Sequence, residues 1–166
     1  EYEETEKAIQ ELLKEKGVKT NMSLEKLKDE TPKAKISPET YLGSSRMEYL
    51  YPNGSTRNGI QNFTLAKNNP VGTFTFGGSW NVQDEFSRAE GNAVIEINFF
   101  AIYLFLVLKP DSSSESVKVI LDGKYVNTID VDSDKLYEIL KLPQYGEHDL
   151  RLEFSDGVEA FAFTFG

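Results

Sequence analysis

Cysteine is absent from the whole 166-residue chain. That excludes disulfides, thiolate catalysis and thiolate zinc sites together, although it says little about compartment. Histidine occurs once, at His148, so any serine–histidine arrangement would rest on that residue alone. No Ser stands in a GxSxG elbow, and neither HExxH nor a P-loop pattern occurs. Within "GEHDLRLEF", His148 reads most simply as a surface residue where a strand begins. Basic excess is also missing. A formal net charge of −9 argues against nucleic acid and gives no attraction to anionic lipid; a calcium ion or a neutral ligand such as a sugar suits it better. The longest apolar run, Phe99 to Leu108, is about half the ~20 residues of a membrane-spanning helix, so a buried strand is expected there. The chain opens without methionine or a signal peptide, and "EYEETEKAIQELLKEKG" reads as the middle of something longer.

Aromatic residues are abundant but unevenly placed. The first forty residues hold only Tyr2, whereas all eleven Phe, the single Trp and seven Tyr come later. A ring-rich core must therefore form from the second part. In the first part Ala8, Ile9, Leu12 and Leu13 make one stripe on a 3.6-residue period, with Gly17 as a natural stop. This helix has nothing to pack on within its own segment. Ser23 is placed to cap a shorter helix, and "TPKAKISPET" reads as a linker stiffened by Pro32 and Pro38.

From about residue 72 the pattern turns to strand after strand. "VGTFTFGG" alternates Phe with Thr before Gly77-Gly78, which marks a bulge or a bend. Val117, Val119 and Leu121 alternate before Asp122-Gly123 and the return strand from Tyr125, a hairpin with a tight turn. "KLYEILKL", "HDLRLEF" and the closing "VEAFAFTF" follow. The spacing predicts an all-β sandwich or barrel. In the last strand Phe161, Phe163 and Phe165 alternate with Ala160, Ala162 and Thr164, so the rings are expected to share one face, inside the core. Burying each ring is worth on the order of 2–3 kcal/mol.

Ordered segments resemble a known family: "SPETYLGSSRMEYLYPNG", "GGSWNV", "LYEIL" and "SDGVEAFAFTFG". They are similar to the C-terminal portion of the DipZ-like thioredoxin proteins of bacteria. The resemblance rests on Glu39–Gly43, Arg46, Glu48, Gly78 with Trp80, the run 99–108, Leu136-Tyr137 and the closing Gly157–Gly166, and covers most of 36–166. It implies a jelly-roll or galactose-binding-like β-sandwich, akin to carbohydrate-binding modules, following a thioredoxin domain outside the cytoplasmic membrane. The expected organisation is the last thioredoxin helix over 1–20, a short helix and linker over 21–38, and the sandwich over 39–166. The family's redox Cys-x-x-Cys maps to no position here.

Candidate sites follow from side-chain chemistry. Sugar sites combine a ring with carboxylate, amide or guanidinium groups. Trp80 with Arg46, Glu48, Tyr49 and Tyr51 is the candidate set, with Arg57, Asn58 and Gln61 close in sequence. A lone Trp in a β-sandwich is more often the buried anchor, and Arg46 with Glu48 reads equally as a structural pair. Asp130, Asp132 and Asp134 alternate and could offer oxygen ligands to Ca²⁺, although Lys135 and Lys141 break the EF-hand pattern and a solvated turn explains them too. Nothing marks a glycosidase carboxylate pair. The expected function is that of a non-catalytic accessory domain binding a cell-envelope glycan or glycoprotein, the alternative being a domain that positions its thioredoxin partner.

Overall fold

The computed structural model describes residues 12, 16, 36–112 and 115–166. The chain divides into two units, Glu1–Lys33 and Ala34–Gly166. In the first, Leu12 is helical and its carbonyl accepts the Lys16 N–H at 3.2 Å. The remaining expectations for 1–20, and those for 21–35, lie outside the described residues.

The second unit is built from eight antiparallel strands: β1 (Thr40–Tyr41), β2 (Gly59–Phe63), β3 (Thr73–Val82), β4 (Ser87–Lys109), β5 (Glu115–Leu121), β6 (Lys124–Val131), β7 (Lys135–Phe154) and β8 (Glu159–Phe165). β4 and β7 are long enough to serve two sections of sheet. The first half of β4 pairs with β3 and with the second half of β7, which continues into β5 and β6. Past a register shift between Ala101 and Tyr103, the second half of β4 lies between the first half of β7 and β8. Strands that bend from one sheet into another make the corner of a sandwich. The expected all-β sandwich is therefore the fold. Among the described residues no helix is long and apolar enough to cross a membrane.

One apolar core fills it. Phe74, Phe76, Trp80, Ile95, Ile97, Phe99, Leu150 and Leu152 come from the larger section, and Leu104, Leu106, Leu108 and Phe163 from the smaller. Ser37, inside the stretch read as linker, is already tied to the sheet: its N–H reaches the Phe100 carbonyl at 3.0 Å and its Oγ accepts the Phe100 N–H at 2.9 Å.

The closing strand corrects one expectation. Phe163 faces Leu106 and Ala160 faces Leu108, with a register shift between them. Two residues of β8, Phe161 and Ala162, thus stand against one of β4, Val107, which is a bulge. Ala160 and Phe163 both enter the core, while Phe161 instead packs on Phe86 at 5.3 Å between centroids. Strict alternation fails here because period 2 holds only while the ladder is unbroken.

Candidate functional site

A concave feature arises from alternation in the two central strands. In β4, Ile95, Ile97 and Phe99 point into the core, which leaves Glu96 and Asn98 on the outer face; in β7, Leu150, Leu152 and Phe154 do the same for Asp149, Arg151 and Glu153. Pairing then fixes who meets whom. Asn98 lies opposite Asp149, Glu96 opposite Arg151, and Arg151 opposite Ile120, which faces Tyr125 on β6. Glu96, Arg151, Ile120 and Tyr125 thus form one row across four strands. Facing pairs share a side of the sheet, so Tyr125, 61% exposed, stands two strands or roughly 10 Å from Arg151.

Segment 64–69 covers part of this face. Ala66 donates its N–H to Thr75 Oγ1 at 3.0 Å, and Leu65 fills the space over Gly77. A groove of about 760 Å³ remains, lined by Leu65, Lys67, Glu96, Asn98, Asp149 and Arg151 among others.

Its polar floor is ordered. Arg151 donates from Nη1 to Glu96 at 2.8 Å and from Nε to Glu153 at 2.9 Å, and Lys118 Nζ reaches the other Glu153 oxygen at 3.0 Å. Hydrogen bonds from Arg151, then Lys118, hold the Glu153 carboxyl below its ordinary range. Asn98 donates its amide to Glu147 at 3.1 Å. A carboxylate only accepts, which orients the amide and leaves Asn98 Oδ1 buried without a donor. At the rim, Asp122 ties the β5–β6 turn to β7 by accepting the Asp149 N–H at 3.0 Å and meeting His148 Nδ1 at 2.8 Å. Burial pushes the Asp122 carboxyl up, but His148 and the Asp149 N–H outweigh it and the net shift is downward. His148, read from sequence as a surface residue, is half-buried and braces this turn.

The residues singled out in the sequence lie elsewhere. Trp80 is 0% exposed, with Phe76 at 4.8 Å and Phe154 at 5.1 Å between centroids, and its Nε1–H is taken by the Gly77 carbonyl at 2.9 Å. That corrects its candidacy as a stacking platform: no face of the indole is open, and the anchor reading is the one that fits. Arg46 covers the Tyr41 ring at 3.4 Å, and Tyr41 donates to Glu39 at 2.5 Å. Glu48 is exposed, and among the described residues no ion pair joins it to Arg46. Tyr49 and Tyr51 are half-buried, and their backbones flank Phe74 through bonds of 3.0 and 2.8 Å. Asn58 bridges Ser44 and Asp84, and Gln61 donates to the Arg57 carbonyl at 2.6 Å. These side chains hold loops together rather than converge on one point.

The aspartate run likewise organises a turn. Asp132 accepts from Lys135 at 2.7 Å and Tyr137 at 2.8 Å, and these bonds draw its carboxyl well below the usual range. The Tyr137 hydroxyl in turn accepts the N–H groups of Asp132 and Ser133. Among the described residues no group of three or more His, Asp or Glu side chains is placed to hold a metal ion.

Comparison with known proteins gives relatives at several distances. Protein DipZ of Mycobacterium bovis is 25% identical over 170 residues, covering 100% of this chain and 24% of its own length. The chain thus spans about a quarter of that relative. Among solved structures, a family two carbohydrate esterase from Cellvibrio japonicus superposes with a TM-score of 0.47 and 12% identity, over 77% of this chain and 33% of the esterase. A family 6 carbohydrate-binding module gives 0.41 and 17%, over 76% of this chain and 92% of the module. Neither likeness identifies a ligand. Residues 37–166 match the family model described as "Thioredoxin like C-terminal domain", and the chain belongs to that family.

Proposed function

We propose that this is a non-catalytic accessory domain of an extracytoplasmic, thioredoxin-like thiol–disulfide protein, and that it binds carbohydrate in the groove over β4 and β7. The observation that carries the reading is the row Glu96–Arg151–Ile120–Tyr125. A pyranose has an apolar C–H face and a rim of hydroxyls, so it needs a ring or aliphatic surface beside fixed donors and acceptors. The row offers these in order, and the groove beside it has the volume of a small-ligand site. In this reading the domain holds an attached thioredoxin domain near a cell-envelope glycan or glycoprotein, outside the cytoplasmic membrane, in the service of cell redox homeostasis. No cofactor enters the proposal.

A glycan array carrying bacterial-envelope and host sugars tests it. The wild-type protein should give a reproducible hit. Arg151→Ala and Tyr125→Ala, shown to be folded by circular dichroism, should each weaken it by about tenfold or more, or 1.4 kcal/mol. Tyr49→Ala should leave it intact. A blank array with folded protein would remove the reading.

One observation favours the alternative, a protein-docking domain. On the outer face of the smaller sheet section the Tyr103 and Phe105 rings stack at 6.1 Å, and Val107 pairs with Leu136, which is 52% exposed. An aromatic and aliphatic strip of this kind, with Lys141 opposite Tyr103 and Glu138 opposite Phe105, suits a protein partner, and the attached thioredoxin domain is the partner that reading implies.

A further inference from the structure

The floor of the groove carries a charge arrangement that bears on which sugars it accepts. Arg151 is the cation at its centre, yet its Nη1 is held by Glu96 and its Nε by Glu153. A guanidinium recognises a carboxylate best through two parallel N–H bonds along one edge. Each two-donor edge of Arg151 therefore already has a carboxylate at one of its nitrogens, Glu153 at Nε and Glu96 at Nη1, so a third carboxylate would have to crowd against one of them. Glu153 is further fixed by Lys118. Glu96 has Arg151 alone as its ion-pair partner among the described residues, and it lines the groove. The surroundings add to the effect. Asp149 lines the same floor, and Glu147 is held against Asn98.

We propose that Glu96 is the specificity-determining residue of this groove: by occupying Arg151 it makes the site take uncharged saccharides and reject uronic-acid and other carboxylate-bearing ones. The proposal rests on the carbohydrate reading above. Arg151 then serves as a single-point donor to ligand hydroxyls, while the second Glu96 oxygen and Asp149 accept from them. At the floor a ligand carboxylate would meet these acceptors with like charge and find both Arg151 edges already contacted. Lys67, the other cation of the lining, stands on the exposed covering segment and offers a single ammonium, not a fork. Such rejection by a repulsive element is a general route to specificity.

The test uses matched pairs: oligomers of glucose, mannose and galactose against oligomers of glucuronic, mannuronic and galacturonic acid, titrated calorimetrically into the folded chain. Wild-type protein should bind a neutral member and bind its uronate partner at least about tenfold more weakly. Glu96→Ala, which removes one acceptor but frees the Arg151 edge, should weaken neutral binding and shift the uronate-to-neutral affinity ratio about tenfold toward the uronate. Glu96→Gln, which removes the charge but keeps the shape, should give part of that shift and guards against misfolding of the alanine variant. Adding Arg151→Ala to Glu96→Ala should abolish the shift. Neutral binding by wild type with no shift of the ratio in either variant would overturn the role of Glu96 and leave the carbohydrate reading standing. Equal binding of both classes by wild type would do the same. No binding of either class by any protein would overturn the reading itself.

Discussion

Trp80→Ala is expected to destabilise the folded domain by about 3–5 kcal/mol, the range for a large aromatic removed from a core. The reason is packing. The indole is fully buried between Phe76 and Phe154, and Phe76 in turn contacts Phe63 and Phe74, so the ring links β3 to β7 and to the edge strand β2. Removing it leaves a cavity and strands the Gly77 carbonyl that accepts its N–H. Trp80→Phe restores most of the volume but not that bond, and should lie between the two. Urea unfolding followed by circular dichroism would report the loss as a lower midpoint at unchanged slope. An unaltered midpoint in Trp80→Ala would mean that the ring is not core. Any loss of ligand binding in this variant must therefore be read against its folded fraction.

A comparable loss is expected from adding a single methyl group. Gly78 has φ +76°, and a Cβ there would lie 2.0 Å from the Asn92 carbonyl oxygen and 2.8 Å from that of Gly91. Both obstacles are backbone, which no rotamer change can clear. The left-handed conformation costs a non-glycine residue roughly 1–2 kcal/mol, and the clash adds to it, so Gly78→Ala should cost on the order of 3 kcal/mol or more. Gly123 provides the comparison, since its φ is +74° but a Cβ there meets nothing within 4 Å. Gly123→Ala should cost only about 1 kcal/mol, the conformational part alone. Equal losses in the two variants, measured by the same unfolding experiment, would show that the close approach of β3 to β4 at Gly78 is not what requires glycine.

Turn and break residues around this region are the features most legible in the amino-acid sequence. Gly77-Gly78 marks a real break: the ladder between β3 and β4 shifts register between Gly77 and Ser79 and again at Trp80. The β5–β6 hairpin is equally legible, because Asp122 and Gly123 both take positive φ, as a two-residue turn between twisted strands demands. Strand lengths are not. "AVIEI" and the run to Leu108 belong to one bent strand, and "KLYEILKL" with "HDLRLEF" to another, since no turn residue is needed where a strand bends through a bulge. β2 escapes a reading by pattern: "GIQNF" carries no regular apolar alternation strong enough to mark it, and it stands at an edge.

The groove is the least legible feature. Glu96, Asn98, Asp149 and Arg151 lie about fifty residues apart in two pairs, and only the β4–β7 register brings them together. A signal does exist, in polar residues alternating with fully buried ones along both strands. It is the pattern of any half-solvated sheet, so it cannot single out this face. The Tyr-rich span 46–62 stands out by composition, and the fold uses it to secure loops beside β3 instead.

Backbone amide shifts of the isotope-labelled domain, recorded by NMR as neutral oligosaccharides are added, test the central claim most directly. The account predicts saturable changes clustered at Glu96, Asn98, Ile120, Tyr125, Asp149 and Arg151, with Tyr49 and Tyr51 unmoved. Changes confined to residues 41–58 or to the outer face around Tyr103 and Phe105, or none with any saccharide, would contradict it.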